Sequence, residues 1–200
     1  MAQTSSCDVC DFRASGNKLK SARGRLHRFY ASNHLHFITS STYHRVQLFH
    51  SNRFRQNFLD TLDELPLHFS FKIIAYVLMP EHFHVLIWPS PTADPSRILK
   101  SLKQRTARFM LRSLPKGGAH PWCRRMLTRF ALPVTVHDES RFRVWQRRFY
   151  DMNIGSEKKQ MEKLNYSHGN PVECRLVSSP ERWPWSSFRF YNLGDEPILK

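Results

Sequence analysis

The stretch from Phe71 to Trp88, FKIIAYVLMPEHFHVLIW, narrows the fold more than any other part of the chain. Two apolar runs meet at Pro80-Glu81, the pattern of two antiparallel strands across a short connection, predicted over 69–79 and 82–88. Side chains of a strand alternate between faces, so His82 and His84 project from one face while Phe83 goes to the other. Two imidazoles side by side on a sheet can share a divalent cation.

The remaining elements build around this pair. Leu35 to Thr42, LHFITSST, reads as a first strand, and Asn52 to Leu65 carries Phe54, Phe58, Leu62 and Leu65 at the spacing of an amphipathic helix. A second, basic helix starts at Ser96, with Ile98, Leu99, Leu102, Ala107, Phe109 and Met110 among lysines and arginines, and breaks before Pro115. Residues 115–140 hold Gly117-Gly118 and several prolines and read as a long insertion rather than a core element. Arg143 to Phe149 reads as a further strand. Ser156 serves as an incomplete cap, with Lys159 where a capping box has Glu, for a helix over Glu157 to His168 that ends at Gly169-Asn170-Pro171. The order βαββαβα predicts an α+β fold, a ferredoxin-like or RRM-like antiparallel sheet packed with helices. Residues 1–32 are polar and basic and are expected to form a mobile arm, 33–192 the domain and 193–200 a tail.

Charge points to the partner. Thirty-one Lys and Arg against 16 Asp and Glu leave a formal charge of +15 on 200 residues, a balance suited to a polyanion and above all to nucleic acid. The block RFRVWQRRFY, Arg141 to Tyr150, interleaves guanidinium groups for phosphates with rings for unpaired bases, which assigns Trp145, Arg147 and Arg148 to DNA contact or to shaping the site. No run reaches the roughly 18 apolar residues needed to span a bilayer, so a cytoplasmic, nucleoid-associated protein is expected. Four cysteines form no disulfide framework, and the Cys7-x-x-Cys10 pair has no second pair at zinc spacing. Either a monomer or a homodimer is compatible with the chain.

Tyr166 and Asn170 stand four apart in the last predicted helix. At 100° per residue, Met161, Leu164 and His168 form the stripe expected to face the sheet, with Glu162, Tyr166 and Asn170 roughly opposed, which leaves the Tyr166 phenol available at the sheet edge. Lys163, one turn before Tyr166, is a candidate to favour its phenolate by positive charge. Tyr150 is an alternative nucleophile, with stacking or packing as its plainer role. A second His-x-His, His34 and His36, lies at the start of the first strand and is read as packing or solvent-facing.

The blocks YVLMPEHFHVLI (Tyr76 to Ile87), VWQRRFYD (Val144 to Asp151), KLNYSHGNPV (Lys163 to Val172) and RWPWSSFRFY (Arg182 to Tyr191) together resemble the REP-associated tyrosine transposases of the HUH single-tyrosine superfamily, which are IS200-like. The resemblance runs from about His34 to Tyr191. It implies that His82 and His84 bind the catalytic metal, Mg²⁺ or Mn²⁺, with Asn170 as third protein ligand, and that Tyr166 is the nucleophile. It further implies an endonuclease and strand transferase that acts on hairpin-forming repeat DNA through a 5′-phosphotyrosine intermediate. Two rival readings remain at this point: an RRM-like module that binds single strands without chemistry, and a hydrolase that activates water on its metal.

Overall fold

A computed structural model of the chain describes residues 34–114, 120–132, 142–196 and 199. The expected N-terminal arm, and the Cys7-Cys10 pair within it, lie outside the described residues. Four strands, β1 (Leu35–Ser41), β2 (Phe71–Leu78), β3 (His82–Pro89) and β4 (Tyr150–Ile154), form one antiparallel sheet in the order β2-β3-β1-β4. With α1 (Asn52–Glu64) between β1 and β2 and α2 (Pro95–Ser113) before β4, this is the expected ferredoxin-like α+β arrangement.

The hairpin closes as its apolar runs dictate. The Met79 amide donates to the His82 carbonyl at 2.9 Å, and Pro80, which has no N–H to satisfy, offers its carbonyl to Phe49. Glu81 is tied down from β1's side, its carbonyl accepting both the Thr42 amide and the Thr42 hydroxyl. One face of the sheet, bearing Ile38, Phe83, Val85 and Ile87, packs on Phe58, Leu62, Leu99 and Leu102 of α1 and α2 and forms the main core. Asp94 caps α2 by accepting the Ser96 amide at 2.8 Å, with Pro95 at the first helical position.

The other face carries a smaller apolar group, Phe37, Ala75, Leu86 and Ile154, against Leu164 and Tyr166 of α4 (Glu157–Glu173). Ser156 caps α4 through the Lys159 amide, as its position in the sequence indicates. The outer edge of β2 is covered by residues 183–187: the Leu78 amide donates to Trp185, the Ser187 amide to Tyr76, and the Trp183 indole to the Leu78 carbonyl. Covering an open strand edge in this way removes a row of unpaired backbone groups.

Three expectations are corrected. The segment expected to be a loop insertion contains α3 (Pro121–Phe130), which sends Met126 and Phe130 into the main core. Arg143 to Phe149 is not a strand: Trp145 makes only an isolated bridge to Thr42, and the fourth strand begins at Tyr150. Helix α4 runs past Gly169 and Asn170 to Glu173, with Pro171 inside it, and stops where Arg175 turns left-handed at φ 55°. Pro171 has no N–H to donate to the Ser167 carbonyl, so one backbone hydrogen bond is lost in the last turn of the helix.

Candidate active site

The α4 face of the sheet holds a cavity of about 50 Å³ lined by Phe37, Thr39 and Ser41 of β1, His82 and His84 of β3, Tyr150 of β4, Tyr166 of α4 and Arg45. Strand register brings them together: Thr39 pairs with both His84 and Tyr150, and Ser41 pairs with His82, so alternation aims all five side chains the same way. The two imidazole rings lie 4.9 Å apart between centroids. Phe37 stacks on His84 at 5.5 Å, and the Tyr166 ring meets His84 edge-on, also at 5.5 Å.

Each histidine is oriented through Nδ1. His82 Nδ1 lies 3.0 Å from Glu81 Oε1, and His84 Nδ1 lies 2.7 Å from Thr39 Oγ1. Burial, then the neighbouring His82 and Lys163 charges, hold His84 well below the usual histidine range, so its ring is neutral and can act as a ligand. Its Nε2 is buried with no hydrogen-bond partner. Burial alone would raise Glu81, but the His82 hydrogen bond and the His82 and Arg45 charges outweigh it and keep the carboxyl ionised below its ordinary range. Arg45 Nη1 stands 3.8 Å from that carboxylate. Burial, with Asp151 beside it, raises Tyr150.

A buried imidazole nitrogen left without a partner is what an absent Lewis acid would leave behind, and an orienting oxygen on the opposite nitrogen is the usual support for a histidine ligand. The pair therefore fits a cation. Among the described residues no group of three or more His, Cys, Asp and Glu is gathered for a metal.

Residues 29–131, more than half of the chain, match the family described as "Transposase IS200 like". A protein of Haemophilus influenzae assigned as a REP-associated tyrosine transposase is 30% identical over 137 residues, covering 68% of each chain. The chain belongs to the IS200-like transposase family. The REP-associated tyrosine transposase of Escherichia coli is 27% identical over 121 residues, 59% of this chain and 54% of that one. A solved structure of a REP-associated tyrosine transposase bound to a REP hairpin shares the fold, with a TM-score of 0.64 and 22% identity over 88% of this chain and 90% of that one. As a transposase the protein is a DNA-cleaving, phosphoryl-transferring enzyme, and the reading as a passive binding module gives way.

The transposase fold gathers His82, His84 and Tyr166, but Tyr166 reaches them by the face of α4 that was expected to point away. Of the stripe expected to face the sheet, Leu164 packs on it and His168 is buried, but Met161 is 51% exposed, and Lys163, Ser167 and Asn170, off that stripe, are buried as well. The packing face is thus wider and more polar than the apolar stripe indicates. Lys163 lies beside the site, its Nζ 5.5 Å from the Tyr166 ring centroid and 3.5 Å from Glu162 Oε1. Asn170, 1% exposed, does not line the cavity; its Oδ1 accepts from Cys174 Sγ at 3.6 Å. Trp145, a candidate for DNA contact or for shaping the site, lies in the core: it is 5% exposed, packs on Phe49, Phe58 and Phe83, and its indole donates to Thr106. Arg147 and Arg148 are exposed and lie away from the cavity lining.

Sequence reasoning missed Thr39, Glu81 and Arg45. Thr39 was accessible, since alternation along LHFITSST sets it beside Phe37 and Ser41, and Glu81 adjoins the His82 it orients. Arg45 carried no such signal. It enters the cavity because the backbone turns left-handed at His44 and Arg45, φ 54° and 49°, a conformation L side chains adopt at some cost and which nothing in YHR announces.

Proposed function

We propose that the transposase cuts and rejoins single-stranded DNA beside hairpin-forming repeats through a 5′-phosphotyrosine on Tyr166, with a divalent cation, Mg²⁺ or Mn²⁺, held by His82, His84 and Asn170. The observation that carries this reading is the buried, partnerless Nε2 of a neutral His84 with the Tyr166 ring packed against it. The REP hairpin bound to the structural neighbour and the +15 charge of this chain support the substrate.

When bound, the cation supplies Lewis-acid neutralisation of a non-bridging phosphate oxygen. The protein does the rest. Thr39 and Glu81 fix the rings so that Nε2 of each histidine faces the cavity. Asn170, on the same helix as Tyr166, would be the third protein ligand. Lys163 favours the phenolate of Tyr166, whose proton passes to solvent. The phenolic oxygen forms its bond to phosphorus as the bond from phosphorus to the 3′ oxygen breaks, leaving a free 3′-OH. Attack by a 3′-OH on the phosphotyrosine reverses the step and conserves the phosphodiester energy, so joining needs no external source.

A hairpin oligonucleotide with labelled single-stranded flanks, incubated with Mn²⁺, is expected to yield a denaturation-resistant adduct that maps to the Tyr166 peptide. Tyr166→Phe is expected to lower it by at least ~10³-fold. Cleavage that survives Tyr166→Phe would establish the water-activating hydrolase instead, and an adduct that maps to Tyr150 would move the nucleophile to β4.

A further inference from the structure

On the opposite side of the sheet from the histidines, α2 and the segment 142–149 enclose a cleft of about 450 Å³. Lys100, Lys103 and Gln104 line it from one face of α2, at the i, i+3, i+4 spacing that brings side chains together, and Arg143 and Arg147 line it from across the gap. Among the described residues of its lining there is no carboxylate. Four cations thus converge on a concave surface whose floor is apolar and whose far wall includes Phe149.

Two of the four cations are held in place. Lys103 Nζ donates to the Gln146 carbonyl at 2.5 Å and stands 5.9 Å from the Phe149 ring, and the Arg143 guanidinium lies 5.3 Å over the Tyr43 ring. Burial lowers Lys103 to about 8, the mark of an ammonium group short of solvation that an anion would restore. The cleft also has a route to the site. Arg147 lines the cleft and Tyr150 lines the histidine cavity, three residues apart, a span of about 10 Å for extended chain at the β4 edge of the sheet.

We propose that the α2 cleft binds the phosphodiester backbone of the single-stranded flank that runs from the cut phosphate over the β4 edge. The inference rests on the proposed DNA-cutting function for the direction of the strand, and its test is chosen not to depend on that chemistry. Phosphates meet the lysines and arginines, the Gln104 amide donates to a phosphate oxygen, and Phe149 offers a partial ring face to a sugar or base.

The experiment measures equilibrium binding of the full chain, without divalent cation, to two fluorescent hairpins that differ only in a single-stranded flank. Lys100→Gln/Arg147→Gln changes two exposed positions and is checked by thermal melting. It is expected to weaken binding of the flanked hairpin by ~10-fold or more, to leave the flankless hairpin within twofold, and to lower the magnitude of the salt slope on the flanked hairpin by about 1.4, near 0.7 for each single-strand phosphate that no longer meets a cation. A control, Arg124→Gln/Arg129→Gln on the exposed side of α3, removes the same charge and is expected to spare the difference between hairpins. Equal weakening on both hairpins would overturn the proposal in favour of the stem. An equal effect from the α3 variant would overturn it in favour of undirected charge. Because no cleavage is read, failure of the Tyr166 adduct assay and failure of this one are separate results.

Discussion

The chain carries two His-x-His triplets; His36 of the first lies in β1 and the second lies in the neighbouring β3, and the fold puts them to opposite uses. His36 of β1 turns toward the helix-packed face, where its Nδ1 meets Asp151 of β4 at 2.9 Å with side chains 1% and 3% exposed. His82 and His84 of β3 turn toward α4, where His84 Nδ1 meets a hydroxyl and Nε2 meets nothing. His36 is buried as His82 and His84 are, and the spacing of the two triplets is the same. What differs is the answer the protein gives to each ring: a carboxylate closes the first pair as structure, and an unanswered nitrogen holds the second open for a ligand. A histidine motif is therefore better judged by its unsatisfied atom than by its spacing.

Replacing His84 tests the functional half and carries the largest expected effect. His84→Ala is expected to lower cation-dependent cleavage of a flanked hairpin by about 10³-fold, roughly 4 kcal/mol of transition-state stabilisation. The melting temperature is expected to stay within a few degrees, because the variant also removes a buried nitrogen that has no partner. Full cleavage in His84→Ala would break the contrast at its stronger end.

The structural half is probed with His36→Ala. Removing the imidazole strands the Asp151 carboxylate, whose Oδ2 already has no partner, at a buried position. Breaking a buried pair from one side costs about 3–5 kcal/mol, which denaturant unfolding reads directly. The double variant His36→Ala/Asp151→Ala is expected to recover much of that stability, and cleavage per folded molecule is expected to stay near wild type at low temperature. If His36→Ala left stability unchanged and abolished cleavage, the two triplets would have to be assigned the other way round.

How far these roles could be read beforehand depends on which physical signal each residue leaves in the sequence. The β2–β3 hairpin was legible because two apolar runs around Pro80-Glu81 have one economical arrangement, and α1 and α2 because their apolar spacing serves a single core-facing side. Helix α4 misled because it covers a functional face: Lys163, Ser167 and Asn170 are buried there and Met161 is not, so amphipathicity pointed Tyr166 outward when it lies against His84. The stretch from Arg143 to Phe149 alternates aromatic and basic residues as an edge strand would, yet Trp145 is drawn into the core by Phe49, Phe58 and Phe83, and ladder pairing is lost. α3 was hidden by the glycines and prolines that flank it. Arg45 depends on a local backbone turn, and residue identity says little about such turns unless glycine marks them.

The smallest effect lies in how each ring is steered. Asp151 steers His36 with a full charge, whereas Thr39 steers His84 with a neutral hydroxyl, and a neutral partner leaves the far nitrogen less basic than a carboxylate would. Thr39→Val keeps the β-branched shape in β1 and removes only the oxygen, so the sheet and the Phe37 stack over His84 should persist. The expected result is a 10- to 100-fold rise in the Mn²⁺ concentration needed for half-maximal cleavage, with the rate at saturating Mn²⁺ changed less than threefold. Thr39→Asp would move the contrast the other way: it gives His84 the kind of partner His36 has, and should tighten cation binding while raising the proton competition for Nε2. Should Thr39→Val lower the saturated rate and leave the Mn²⁺ dependence alone, Thr39 would be acting on the phosphate or on Tyr150 across the cavity, and the hydroxyl would belong to the chemistry instead of to the ligand.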